Sequence, residues 1–400
     1  MRILQLCHKI PYPPSDGGSI AMNQVTQALL KKGIGVKVLA LAPTGTIEYA
    51  KNIPGSYSSA TQIEVFPIDT RVKPWPAFIN LFTHRSYNIS RFYCKKLAQR
   101  LDVLLNEQHF DIVQLEGLYL TPYIPVIRQH TGSPILFRSH NIEHFIWERL
   151  ARTAKNIFKS IYLNFLARRL RAYEMKTVHQ VDGLIAISPV DMRFFVKNGF
   201  AQPGITIPVA VEPGHFIPGN APLEKNTVFH IGSMDWRPNQ DGVRWFLEYV
   251  WPLVIDKNPA LRFVLAGKNI SEDFYNYAGS NVTIAGQVPD APAFMHANEL
   301  MVVPLLSGGG MRVKIIEGMA AGKPIVSTSI GAEGINCRHG ENILLADTAE
   351  EMAETILYYF RHKDEMQIIG MNARKFAFDN HNMENTIEKL IGFYNTFLTS

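Results

Sequence analysis

A chain of 400 residues, 46% of them hydrophobic, is long enough for two cores and too apolar to stay disordered. It shows no fixed-period repeat, no low-complexity tract and no apolar run of membrane-spanning length, and its three scattered cysteines, Cys7, Cys94 and Cys337, form neither a disulfide framework nor a metal-binding CxxC pair, which suits the cytosol. The net charge of +5 is uneven, with 25 Lys and Arg against 13 Asp and Glu in residues 1–200, leaving 15 against 22 beyond, so an anionic partner is expected at the first half.

Residues 1–7 read as a short strand running into polar residues and prolines, too brief for the apolar core of a secretion signal. Gly17-Gly18 follows, before a helix expected over about 20–31. No GxGxxG or Walker sequence occurs there, so a nicotinamide, flavin or P-loop site is not indicated, and the two glycines read either as close-approach amides or as a plain turn. Strands expected over 35–42, 112–115, 134–138 and 183–188 alternate with helical patterns, as in a parallel α/β sheet.

Two segments of this half mix cations with apolar residues. Residues 71–100 place Trp75, Phe78, Phe82, Tyr87, Phe92 and Tyr93 among Arg85, Arg91, Lys95, Lys96 and Arg100. Residues 149–176 place Ile157, Ile161, Leu163, Phe165, Leu166 and Leu170 among Lys155, Lys159, Arg168, Arg169 and Arg171. Both fit an anionic lipid surface, and both fit helices with one face in the core and a solvated basic face. No nucleic-acid reading motif accompanies the charge, so nucleic acid is not expected as a partner.

Between them lies His140-Asn141-Ile142-Glu143-His144, which has the HxxEH spacing of some zinc proteases. That chemistry needs both histidines inside one helix, whereas His140 here follows directly on an expected strand. His140, with Glu143, is therefore read as projecting toward a ligand, the alternative being a surface-loop histidine before a helix.

After residues 205–209, the proline- and glycine-rich stretch 212–226 reads as a linker. Strands expected over 228–231, 262–266, 282–285, 300–303, 324–327 and 343–345 then build a second sheet. The expected architecture is two Rossmann-like domains, 1–212 and 213–383, facing across a cleft. A last helix within 384–400, apolar at Ile387, Leu390, Ile391, Tyr394 and Phe397, is expected to pack back on the first domain.

The densest chemistry lies in 307–324, where Gly308, Gly309 and Gly310 precede Met311, Arg312, Lys314 and Glu317. Glycines admit a ligand close to the backbone, a helix starting near Met311 would present its positive end, and two cations add full charge. A carboxylate further along could accept from sugar hydroxyls. Phosphate and hydroxyls together indicate a nucleotide, against the plainer reading of a loop and a solvated basic face.

With these segments in view, the chain resembles the retaining glycosyltransferases of family 4, which have the twin-Rossmann GT-B architecture. The likeness covers nearly the whole chain. It is most specific over 308–324, and is supported by Phe229-His230-Ile231-Gly232-Ser233-Met234 and by Ile207-Pro208-Val209-Ala210-Val211. Weaker matches are Gly17-Gly18, His140, Ala285-Gly286-Gln287-Val288 and His339-Gly340-Glu341-Asn342.

The resemblance implies a hexosyltransferase-type enzyme that takes a nucleotide-sugar on the second domain and a glycan or lipid-linked saccharide acceptor on the first. No cofactor and no metal are expected. Glu317 matches the second glutamate of the family's Glu-x7-Glu motif, and Gly309 stands where the first would be. The family's Arg and Lys after the first strand of the second domain are likewise absent, the sequence there continuing Gly232-Ser233-Met234-Asp235. Donor contacts are accordingly expected from Gly17, Gly18, Gly232, Ser233, Gly309, Gly310, Met311, Arg312, Lys314 and Glu317, with His140, Arg312 and Lys314 as the catalytic set. The resemblance further implies same-face attack without a carboxylate nucleophile and a role in polysaccharide synthesis, while the cysteines and the basic segments of the first half point to the cytoplasm, peripheral at the inner membrane face. The alternatives within the fold are a sugar-nucleotide epimerase and a non-catalytic binding or scaffold member.

Overall fold

The computed structural model describes residues 1–14, 16–71, 86–152, 154, 156–217 and 222–398. Trp75, Phe78, Phe82, Arg85 and Lys155 of the basic segments lie outside the described residues. The chain divides into two compact units, one of residues 1–208 with 384–400, the other of 209–383. Each is an α/β layer structure built on an all-parallel sheet.

In the first unit the strands are β1 (Arg2–Cys7), β2 (Gly35–Pro43), β3 (Glu64–Ile68), β4 (Ile112–Glu116), β5 (Ile135–Ser139), β6 (Gly183–Ala186) and β7 (Gly204–Thr206). They pair in the order β3-β2-β1-β4-β5-β6-β7. The central strands are buried on both faces, which is why they read as continuous apolar runs. The edges β3 and β7 escape a sequence reading because Glu64, Pro67 and Gly204 interrupt their apolar pattern. Helix α1 (Gly17–Lys31) begins at a capping box in which Asp16 and Ser19 bond reciprocally. Helix α2 (Lys95–Glu107) adds Leu97, Leu101 and Leu104 to the core, while α3 (Glu143–Arg152) and α4 (Ile157–Val178) follow β5.

In the second unit β8 (Thr227–Ile231), β9 (Arg262–Ala266), β10 (Val282–Gly286), β11 (Leu300–Val303), β12 (Ile325–Ser327) and β13 (Leu344–Leu345) pair in the order β10-β9-β8-β11-β12-β13. Helices used below are α5 (Arg237–Trp245), α6 (Val313–Ala320), α7 (Ala349–Arg361) and α8 (Lys363–Asn380). Helix α6 starts two residues later than Met311, with Arg312 as its extended N-cap. The stretch read as a linker is partly folded: Pro213–Phe216 forms a 3-10 turn that buries Phe216.

Val209 to Val211 belong to the second unit because His381 Nδ1 bonds the Val209 carbonyl at 2.7 Å and Val211 pairs with Asn382. The chain then returns to the first unit as α9 (Met383–Asn395), burying Leu390 and Tyr394 and placing Glu384 and Glu388 3.3 and 3.2 Å from Lys32.

In each sheet the direction of strand addition reverses once, between β1 and β4 and between β8 and β11. Loops leaving the carboxyl ends of strands at such a reversal diverge and leave room for a ligand. His8, Gly117 and His140 follow the ends of β1, β4 and β5, while Gly232 follows β8 and the glycine run follows β11.

Candidate functional site

In the second unit a lysine is held over the end of β8. His230, fully buried in β8, bonds the Val302 carbonyl through Nδ1 at 2.9 Å. That bond places the ring proton on Nδ1 and turns the Nε2 lone pair to Lys314, whose Nζ lies 3.1 Å away. Lys314 Nζ also donates to Asn239 Oδ1 at 2.9 Å, and Asn239 Nδ2 donates to the Ser233 carbonyl at 2.7 Å. Burial and the nearby Arg312 push the Lys314 ammonium down to about 7, with Glu317 pulling the other way. Glu317, one turn further along α6 and half-buried, is pushed up to about 7 by burial against the pull of Lys314.

Gly232 is required by this packing, because a Cβ there would lie 2.3 Å from Lys314 Nζ. Gly267 is required by Gly232 in turn, since its Cβ would lie 1.8 Å from the Gly232 carbonyl oxygen. The glycine run turns with positive φ at Gly308 (118°) and Gly310 (74°). Gly308 passes so close to Trp236 that a Cβ would sit 2.9 Å from the indole. Arg312, only 4% exposed, donates from Nη1 to the Gly309 and Gly310 carbonyls and lies 5.4 Å from the Trp236 ring centroid. Its charge therefore braces the loop from within, while Lys314 lies at the end of β8.

In the first unit the centre is Glu116, fully buried at the end of β4. It accepts from Gln5 at 2.8 Å, Gln114 at 2.6 Å, Arg138 at 3.2 Å and His140 Nε2 at 2.7 Å. Burial works to raise this carboxyl, yet Arg138, His140 and Gln5 together hold it down at about 2. His140 is 8% exposed, and burial keeps it below its ordinary value despite Glu116. A neutral ring that gives Nε2–H to a carboxylate has Nδ1 as its acceptor. His8 bonds the Glu116 carbonyl through Nδ1 at 2.6 Å, and burial with Lys9 and His140 nearby pushes it down to about 3.

Beside these, Lys9 bonds both oxygens of Asp16, at 3.0 and 2.8 Å, and approaches the backbone of Gly18 closely enough that a Cβ there would lie 3.1 Å from its Nζ. The remaining members of the HxxEH spacing serve elsewhere. His144, fully buried, bonds Glu174 through Nδ1 at 2.6 Å, and Glu174 also receives the backbone N–H of Glu143 at 3.0 Å, capping α3. Glu143 accepts from the Tyr119 hydroxyl at 2.7 Å. The two histidines thus answer to different carboxylates, which is not a zinc arrangement. Among the described residues no group of three or more His, Cys, Asp and Glu is placed to hold a metal.

The expected residues fall into two groups. Gly232, Ser233, Lys314 and Glu317 come together with the glycine run and Met311 in the second unit, and Gly17, Gly18 and His140 lie in the first. The sequence reading missed His230, Asn239, Trp236 and Gly267, and in the first unit His8, Lys9, Asp16, Glu116 and Arg138. Three of these carried a signal: His230, Glu116 and Arg138 are polar residues inside apolar strand runs, where burial demands a partner.

Comparison with known proteins bears on the whole chain. Residues 225–362 match the family described as Glycosyl transferases group 1. The chain is 28% identical over 309 residues to an uncharacterized 44.6 kDa protein of the cps region of Klebsiella pneumoniae, covering 74% of this chain and 77% of that one. It is 25% identical over 370 residues to phosphatidyl-myo-inositol mannosyltransferase of Mycolicibacterium smegmatis, covering 89% and 84%. Among solved structures, sucrose-phosphate synthase from Thermosynechococcus elongatus matches with a TM-score of 0.74 over 100% of both chains at 16% identity. Anabaena HepE, solved in complex with UDP and glucose, matches at 0.66 over 97% and 98% of the chains at 13% identity. At those identities the structures speak for the fold alone, while the family match speaks for the chemistry of the second unit. Together they give the chain the GT-B fold and place a match to the group 1 glycosyl transferases over residues 225–362, and the family match and the named relatives speak for a glycosyltransferase.

Proposed function

We propose that this glycosyltransferase moves a hexose from a nucleoside diphosphate sugar to a glycan or lipid-linked saccharide, with retention of anomeric configuration, without a metal, at the cytoplasmic face of a membrane. The observation that carries the donor assignment is the Lys314 cluster at the end of β8, a lysine fixed by His230 and Asn239 with no room for a side chain at Gly232. Such a lysine, pushed down by burial, is only partly charged at neutral pH, and an arriving diphosphate makes the charged form favourable again. The backbone of the glycine run and the amino end of α6 add N–H groups to the same anion. Glu317, along the same helix, is suited to the ribose hydroxyls.

In this reading the bond from the anomeric carbon to the diphosphate oxygen breaks with its electron pair going to the nucleoside diphosphate. Lys314 and the helix amides stabilise that charge as it develops. The acceptor hydroxyl oxygen bonds the anomeric carbon on the same face, and its proton passes to the departing phosphate. In the first unit His140, with Nε2–H committed to Glu116, keeps Nδ1 as an acceptor for a sugar hydroxyl. Family likeness, a UDP complex in a structural neighbour and a mannosyltransferase relative support the reading.

The test is a titration of the purified protein with UDP-, GDP- and ADP-sugars, followed by proton NMR of the product formed with a saccharide acceptor. Saturable binding of one donor that Lys314→Ala weakens, with a product of unchanged anomeric configuration, is the expected result. An inverted product would remove the same-face mechanism. A donor converted to its epimer without acceptor would replace transfer by epimerisation.

A further inference from the structure

Helix α4 is apolar on two opposite faces, and only one of them meets the core. Leu163, Leu166, Ala167 and Leu170 are buried. Phe158, Ile161 and Phe165 project from the other side, at positions three, four and seven apart. Phe158 is 79% exposed, Ile161 61% and Ile157 beside them 66%. A helix apolar all round is ordinarily enclosed, so an open second face calls for a counterpart.

The charge around this face has one sign. Residues 149–173 hold seven Lys and Arg and no Asp or Glu, and Glu174 just beyond is buried against His144. The Arg169 guanidinium lies 4.2 Å from the Phe165 ring centroid, so a cation borders the apolar stripe directly. From the facing elements, Glu143 is buried and bonded to Tyr119, and Glu148 is the carboxylate of α3 nearest in sequence.

We propose that this face of α4 docks the protein on an anionic lipid surface, with Ile157, Phe158 and Ile161 entering the boundary between headgroups and acyl chains and Arg168 and Arg169, which flank Phe165, lying over lipid phosphates. A short apolar stripe with flanking cations is what an interfacial helix presents. A second copy fits poorly, because a two-fold contact would set a basic helix with no Asp or Glu over 157–173 against itself. A protein partner would need a broad complementary interface with a paired polar rim, whereas this face is a single helix with three exposed apolar anchors. The inference deepens the membrane side of the proposed function and does not depend on the donor site.

The experiment is flotation of the full chain with phosphatidylcholine vesicles, with and without about a third phosphatidylglycerol. Wild type is expected to float only with the anionic vesicles and to be released by salt. Phe158→Ser/Ile161→Ser and Arg168→Glu/Arg169→Glu should each reduce the bound fraction about tenfold, while thermal melting and nucleotide-sugar affinity stay unchanged. Phe158→Trp should shift its emission to the blue on anionic vesicles. Absence of flotation by wild type, flotation unaffected by both double variants, or a dimer in light scattering that Phe158→Ser/Ile161→Ser dissolves would each overturn the proposal. Loss of nucleotide-sugar binding with flotation intact would instead count against the donor reading.

Discussion

Lys314 and Glu143 show how burial turns ordinary side chains into pH-dependent ones. Burial and Arg312 push Lys314 down to about 7 and a bound diphosphate favours its charged form, so binding above pH 7 must take up a proton. Affinity for a nucleotide-sugar should therefore fall as pH rises from 7, by up to about tenfold per unit, and Lys314→Met should abolish that slope in calorimetric titrations at several pH values. At lower pH the same substitution should cost about 1–3 kcal/mol of binding.

Glu143 has its value pushed up to about 7 by burial, with Tyr119 pulling down and Glu174 pushing up. A carboxyl whose folded value exceeds its unfolded one is protonated longer in the folded protein. The protein thus loses stability as pH climbs from the usual carboxylate range to 7. Glu143→Gln should raise thermal stability at pH 8, by about 1–3 kcal/mol, and do nothing at pH 4.

At the scale of elements, the two strand-end clusters depend on glycines in different ways. At Gly232 the colliding group is the tip of a flexible lysine, so Gly232→Ala should leave the melting temperature nearly unchanged while lowering donor affinity as Lys314 is displaced. At Gly267 the collision is with backbone, so Gly267→Ala should lower the melting temperature itself, by the equivalent of about 2 kcal/mol or more, as a differential melting measurement of the pair would show. In the first unit Glu116→Gln keeps the shape but removes the charge that orients His140. Nitrogen NMR of the histidine should then show Nε2–H giving way to a mixed tautomer population.

The sequence located most strands and the glycine run because a strand buried on both faces and a glycine run leave local marks. It missed His230 and Asn239 because their roles arise from Lys314, which lies 84 and 75 residues away in the chain. The Arg312 side chain donates to two loop carbonyls, a partnership that spacing alone cannot reveal.

For the molecule as a whole, the last helix is a part of the first unit supplied from the far end of the chain. Tyr394 donates to Gln114 inside that unit, and Gly183 leaves space for Phe393 and Phe397. Deleting 384–400 should therefore lower the melting temperature of the first unit, followed by protection of its amides in hydrogen exchange, and leave the amides of 209–383 as protected as before.

What the sequence determined alone is whatever short-range pattern encodes: apolar runs for doubly covered parallel strands, glycines at close approaches, a basic first half, and the order of elements that makes two α/β units. What only the tertiary structure decided is which polar groups meet. Glu116 gathers Gln5, Gln114, Arg138 and His140 from three strands and the loop after β5, and Lys314 finds His230 and Asn239 across the second sheet. Those meetings follow from the strand order and from the need of every buried charge for a partner, and neither is written in any local stretch of the chain.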